Sequence, residues 1–187
     1  TPWDSSSAEF EARHNEGRTD IKHLRTLAFK PDGTRMFVGG KDDPSTTGKI
    51  KQFTLSNPWD LSSGVSDAGL SVDIGSSEAN LRNAQFDDTG NILYVGGNDS
   101  DDIHKYSLST AWDITTLSSS FSTFDLVGGY TNMRGFIFVA AFTKLFVIDD
   151  TATTSTVIEY SPSCTMITCS DPSDYGNVKG IIDANVE

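Results

Sequence analysis

Short runs in which apolar and polar residues alternate, broken by Gly, Asp, Asn and Ser, recur along the chain. A period of two with turn residues at the breaks predicts half-buried β-strands joined by tight turns. No helical periodicity of useful length competes. The runs also repeat. Leu24-Arg25-Thr26-Leu27-Ala28-Phe29, followed by Pro31-Asp32-Gly33 and Met36-Phe37-Val38-Gly39-Gly40, returns as Leu81-Arg82-Asn83-Ala84-Gln85-Phe86, Thr89-Gly90 and Leu93-Tyr94-Val95-Gly96-Gly97. A third copy reads Met133-Arg134-Gly135-Phe136-Ile137-Phe138, then Leu145-Phe146-Val147. In each copy a Phe of the first run precedes an aromatic of the second by eight residues, at 29 and 37, 86 and 94, 138 and 146. Asp32-Gly33 is a strong hairpin signal between the first two runs.

A third run follows in every unit: Ile50-Lys51-Gln52-Phe53-Thr54-Leu55, Ile103-His104-Lys105-Tyr106-Ser107-Leu108 and Val157-Ile158-Glu159-Tyr160. The first two lead into Pro58-Trp59-Asp60 and Ala111-Trp112-Asp113, and a fourth run is visible at 70–74 and 121–127. Four strands per unit, repeated, predict an all-β array of β-propeller-type four-stranded blades. Trp3-Asp4 matches the two Trp-Asp pairs, so residues 1–24 read as the closing strand of a preceding blade. Residues 25–81, 82–133 and 134–177 then form three units, and 178–187 read as the opening strand of a further blade. About three blades cannot close a ring, since propellers use roughly four to eight. Three readings are open: a segment of a longer propeller, a ring completed by copies of the chain, or strand exchange between copies.

The Phe-x-Pro-Asp-Gly turn, the aromatic-Val-Gly-Gly strand and the Ile-x-x-aromatic strand resemble the repeats of YVTN-type β-propellers. The Leu-Ser-x-Pro/Ala-Trp-Asp segment is similar to repeats of phage and marine viral structural proteins and of bacterial surface proteins. The resemblance covers most of residues 1–160. It implies the fold and leaves the chemistry open, because propellers host lactonases, lectins, scaffolds and adhesins alike.

Composition narrows the field. In 187 residues, 14 Lys and Arg stand against 26 Asp and Glu, a formal net charge of −12. Such a chain repels phosphate backbones, and without a basic stripe a nucleic-acid partner is not expected. No apolar run approaches the roughly 18 residues of a membrane-spanning helix, so membrane insertion is not expected either. Ser and Thr fill 43 positions, which with the acidic balance suits an extracellular or virion surface.

Four candidate sites follow. Arg25, Arg82, Arg134 and Lys179 occupy equivalent first-strand positions and would ring one mouth of a channel, either as a site for an anion such as a sugar carboxylate or as blade-to-blade ion pairs. The loop after the second strand is acidic, and Asp99, Asp101 and Asp102 could supply oxygens to Ca²⁺ or stand as solvated turn residues. These loops and the connections between units are expected on the same face as the cations. Trp3, Trp59 and Trp112 read as packing against the neighbouring blade with their Asp capping the turn, or as platforms for surface carbohydrate. Cys164 and Cys169 fit a local disulfide in an oxidising setting or two free thiols. Only 19 residues separate Tyr160 from Lys179, against 29 from Phe53 to Arg82, which leaves the third unit short of an ordinary closing strand; a strand at residues 8–13 is a candidate to dock there.

Catalytic patterns find little footing. His14, His23 and His104 are scattered, with His104 expected to face solvent, and neither a nucleophile elbow nor a phosphate loop is present. The resulting expectation is a non-catalytic structural or adhesion module on a virion, tail fibre or cell-surface appendage. It would need no cofactor beyond Ca²⁺, and its partners would be copies of itself, further blades or surface carbohydrate. The alternative is a secreted lectin or a lactonase-like propeller enzyme.

Overall fold

The computed structural model describes residues 13, 21–42, 47–63, 65–126, 132–139, 142–151, 153–161 and 178–183, the last stretch as backbone. These form twelve strands in three four-stranded sheets. The first holds β1 (His23–Phe29), β2 (Arg35–Asp42), β3 (Thr47–Leu55) and β4 (Val65–Asp73). In the second are β5 (Leu81–Phe86), β6 (Ile92–Gly97), β7 (Ile103–Leu108) and β8 (Leu117–Phe124). The third comprises β9 (Met133–Val139), β10 (Lys144–Asp150), β11 (Ser155–Tyr160) and β12 (Val178–Asp183). Every sheet is an antiparallel meander in chain order. β1 packs beside β5 and β5 beside β9, so the first strands lie innermost and the fourth strands at the rim.

The repeat seen in the sequence is a repeat of register. Ala28 pairs with Phe37, Gln85 with Tyr94 and Ile137 with Phe146. Alternation then sends each second-strand side chain to a defined face. Phe37 points back toward the second sheet and stacks on Phe86 with ring centroids 4.6 Å apart; Tyr94 meets Phe138 of the third sheet at 4.5 Å. Leu93 and Val95 face the first sheet, where they join Ile50, Leu81 and Tyr106 in one apolar layer. Leu145 and Val147 face the second sheet in a layer with Tyr94, Met133 and Phe136. The core is therefore two interleaves between three sheets, with apolar burial worth roughly 1.5–3 kcal/mol per large side chain.

Side-chain amides stitch the innermost strands across these layers. Gln85 of β5 donates from Nε2 to the Phe138 carbonyl at 3.1 Å and accepts the Phe138 N–H at 2.9 Å, an imitation of a ladder pair. Two residues back along the strands, Asn83 Nδ2 donates to the Phe136 carbonyl, and in the equivalent place between the first two sheets Thr26 Oγ1 accepts the Ala84 N–H at 3.0 Å.

One boundary differs from the sequence reading. The segment starting at Val178 does not open a further unit; it pairs with β11, with Ile158 opposite Ile181, and is the fourth strand of the third sheet. Its Val-x-x-Ile-Ile pattern fits an inner or an outer strand equally, and only pairing decides between them. The closing strand expected within residues 1–24 lies almost entirely outside the described residues, as does the docking strand expected at residues 8–13, of which only Arg13 is described.

Candidate functional site

The three first-strand arginines sit on equivalent irregularities. Leu24 pairs with Gly40 and Thr26 with Gly39, so Arg25 is skipped; Arg82 is skipped between Leu81 and Asn83, and Arg134 between Met133 and Gly135. A β-bulge bends the strand and re-aims the extra side chain. Here it lifts each arginine out of the alternation at the same end of the three innermost strands. Opposite the first two bulges stand Gly40 and Gly97, where a Cβ would meet the His23 carbonyl oxygen at 1.9 Å and the Asn80 carbonyl oxygen at 2.3 Å. The second glycine of each Gly-Gly pair is thus confined by a main-chain carbonyl beside the bulge, whereas at the third bulge Asp149 stands in that place.

The guanidinium groups are close enough to repel one another. Arg25 is pulled below the ordinary guanidinium range by burial and then by the charge of Arg134. Arg82 is lowered by burial first, then by Arg25 and Arg134, with Glu78 opposing. Their partners are mostly neutral. Arg25 donates from Nη1 to Asn80 Oδ1 of the connection into the second sheet, and Arg82 donates from Nε to Asn98 Oδ1 at 3.4 Å. Arg134 pairs with Asp150 at 3.3 Å, the one carboxylate contact of the trio among the described residues. The fourth expected member, Lys179, is elsewhere: it lies on β12, the rim strand of the third sheet, three strands from Arg134.

The acidic loop shares this face, as expected. Its organiser is a residue the sequence did not single out. Glu78, fully buried in the connection from β4 to β5, accepts the Asn80 N–H at 2.8 Å, the Asp99 N–H at 3.3 Å, the Ser100 N–H at 3.4 Å and the Ser100 hydroxyl at 3.0 Å. The loop's amides therefore already hold a carboxylate. Burial nonetheless pushes the Glu78 carboxyl above its ordinary range, with these hydrogen bonds pulling the other way.

Asp101 and Asp102 are likewise engaged with main chain. Asp101, with φ +56°, accepts the Met133 N–H at 3.0 Å and ties the loop to the third sheet. Asp102 is raised by burial, then by Asp125, while the Leu126 N–H bonds it. Among the described residues no three His, Cys, Asp or Glu side chains converge to hold a metal ion, and Asp101 and Asp102 are engaged by main-chain N–H groups. Asn98, the first residue of an Asn-Asp-Ser sequence, donates to Asn132 Oδ1 at 3.0 Å as well as accepting from Arg82.

Trp59 and Trp112 pack first within their own blades. Each has positive φ, each donates its N–H to the carbonyl of the turn glycine, and each lays its indole over that glycine. A Cβ at Gly33 or Gly90 would lie 2.3 Å from the ring. Phe29 and Phe86 flank the indoles at 5.3 and 5.0 Å. Trp112 also reaches the neighbouring blade, where Phe37 is 6.3 Å away and Arg35 donates to the Trp112 carbonyl at 2.6 Å. Asp113 caps the next 3-10 turn by accepting the Thr115 N–H at 3.0 Å, and Asp60 accepts the Ser62 N–H at 2.8 Å. Trp3, Cys164 and Cys169 lie outside the described residues.

His104 does not face solvent. It is buried on β7 with Nε2 3.1 Å from Ser100 Oγ and Nδ1 3.0 Å from Thr123 Oγ1, and burial holds its imidazole below the ordinary range. Its strand is covered on both faces, so alternation could not tell inside from outside there.

No known family matches the chain, and no curated protein does. Solved structures do. A nidogen/laminin complex aligns at a TM-score of 0.55 with 14% identity, covering 87% of this chain and 49% of that one. A putative 6-phosphogluconolactonase from Bacteroides uniformis aligns at 0.51 with 15% identity, covering 88% and 42%. The chain thus spans about half the length of either. Identities this low speak to architecture alone, and with the three meanders they show a β-propeller fold built of four-stranded blades.

Proposed function

We propose that this chain is a non-catalytic structural or adhesion module of propeller blades, carried on the exterior of a virion, tail fibre or cell appendage. Its arginine-lined mouth engages anionic groups such as the carboxylates of acidic carbohydrate. The observation that carries the reading is the arginine trio: three bulge-borne guanidiniums converge at one end of the inner strands, in a chain of net charge −12, with one carboxylate partner among the described residues. Guanidinium groups match a carboxylate in charge and in fork geometry, and partial burial strengthens the pairing. The neutral Asn80 and Asn98 orient Arg25 and Arg82 without cancelling their charge.

Calorimetric titration with D-glucuronate, using D-glucose as the uncharged control, tests this. Saturable uronate binding that weakens with salt and is lost in Arg82→Ala is the expected result. Equal response to glucose and glucuronate would sink the anion reading. Turnover of a sugar lactone, abolished by the same substitution, would instead support the lactonase-like alternative.

A further inference from the structure

The first and third blades each turn an apolar face to solvent. Residue by residue, these are the two halves of a joint that the chain makes twice inside itself. On the first blade, Leu24 and Leu27 are 50% and 60% exposed. Register equates them with Leu81 and Ala84 of the second blade and with Met133 and Phe136 of the third. Leu81, Met133 and Phe136 are buried against the preceding blade, and Ala84 packs there too. Trp59 shows the same contrast: it is exposed, whereas Trp112 is covered by Phe37 and Arg35 of the blade before it.

The third blade mirrors this on its other side. Ile137 and Ile148 are 51% and 48% exposed, Val157 is exposed and Phe146 half-buried. The residues aligned with Phe146 are Phe37 and Tyr94, and those aligned with Val157 are Ile50 and Ile103; all four are buried against the following blade. Gly39 and Gly96 stand where Ile148 does, because Leu81, Met133 and Phe136 of the next blade fill the space a side chain would take. At Ile148 that space moves sideways. Gly135 replaces Thr26 and Asn83, nothing lies within 4 Å of where its Cβ would be, and a cavity of about 290 Å³ opens between Gly135, Phe146 and Val157.

We infer that a second copy of this chain closes both faces at once, head to tail, so that two three-bladed chains form one six-bladed ring. Leu24 and Leu27 of one copy would enter the cavity beside Gly135 of the other, and Phe146 would meet Trp59 as Phe37 meets Trp112. Polar contacts have the matching pieces. Gln52 Oε1 accepts the Ile114 N–H across the internal joint at 3.0 Å; Glu159 stands in the place of Gln52 and Leu61 in that of Ile114. Lys144, bonded to Glu159, stands where Arg35 donates to a Trp carbonyl. Each sheet already holds four strands, so the copies join by faces and exchange no strand. A joint between two different faces is heterologous, and it closes when the rotation per unit completes a circle; six blades lie inside the roughly four-to-eight range of closed propellers.

The inference rests on reading the sheets as consecutive blades and deepens the proposed module without depending on its ligand. Light scattering across a concentration series tests it on the chain, Leu27→Asp, Ile148→Asp and an equimolar mixture of the two. Both substituted residues are exposed in the single chain, and far-ultraviolet circular dichroism checks that each variant folds. Twice the chain mass is expected for the unsubstituted protein. Either variant alone should dissociate, with the dissociation constant raised roughly 30-fold or more, as for a central interface residue. The mixture should recover a dimer through the one joint unaltered on both sides. A monomer at all concentrations, an open-ended filament, or a dimer indifferent to Leu27→Asp would each overturn the ring. Arg82→Ala should leave the mass unchanged, so loss of uronate binding and loss of the ring are read separately.

Discussion

Removing the Glu78 side chain tests the logic of the loop face most sharply. Its carboxylate is fully buried and receives three main-chain N–H groups and one hydroxyl from residues 80, 99 and 100. In Glu78→Ala the Ser100 hydroxyl keeps its contact with His104, but the three N–H groups lose their acceptor. A buried donor left unmade costs about 1–3 kcal/mol. Two of the three bonds are long, and water can enter a polar gap, so the low end applies and the total is about 3 kcal/mol. For a chain of this size that lowers Tm by roughly 6–12 °C. Glu78→Gln keeps one acceptor oxygen and turns an amide toward the other donors, so about half that loss is expected. Urea unfolding of both variants supplies the measurement.

The pH dependence adds a second check. Because burial raises the Glu78 carboxyl above its ordinary value near 4.5, the folded chain holds that proton more tightly than the unfolded one. The resulting stability is present below the ordinary value and is lost as pH rises through the raised one. The deficit of Glu78→Gln relative to the unsubstituted chain should therefore be largest near pH 4 and narrow toward neutrality. A loss below about 0.5 kcal/mol in Glu78→Ala, the range of ordinary surface changes, would refute the assignment of Glu78 as the loop's anchor.

Other outcomes follow from the same geometry. Gly90→Ala places a Cβ 2.3 Å from the Trp112 indole at φ +74°, and should cost about 2–4 kcal/mol in urea unfolding from left-handed strain plus overpacking. Gly135→Ala meets nothing within 4 Å and should change the stability of the single chain by less than about 0.5 kcal/mol. Gln85→Ala removes both bonds to Phe138 between the second and third blades and should cost about 2 kcal/mol by the same method. For His104, burial lowers the folded pKa, so below about 6.5 the unfolded chain takes up a proton that the folded one resists. Tm should fall between pH 7 and pH 5, and His104→Gln should flatten that slope.

Strand order in the first two sheets and in the first three strands of the third was legible from the chain alone. Phe29, Phe86 and Phe138 each stand eight residues before an aromatic, and the structure pairs each with the residue just before that aromatic, Met36, Leu93 and Leu145. Hairpin pairing is local, so short-range patterns suffice to specify it. The arginines were also visible as an aligned set, although their bulges were not, because a bulge is a property of two paired strands. The stacking of Trp59 and Trp112 on turn glycines needed positive φ at the tryptophans, which no pattern announces. Cations at 25, 82 and 134 shared a repeat position, whereas Lys179 shared only a resemblance to it.

What the sequence determined was the blade: alternation and turn residues set four strands in each of the first two units and three in the third. Tertiary structure alone decided which groups meet across blades. Glu78 became the acceptor for a loop some twenty residues away, His104 went inside between two covered faces, and β12 joined β11 where an opening strand was equally plausible from pattern. Such choices turn on burial and on unmet hydrogen-bond donors, which exist only once distant segments are brought together. Local periodicity carries no record of them.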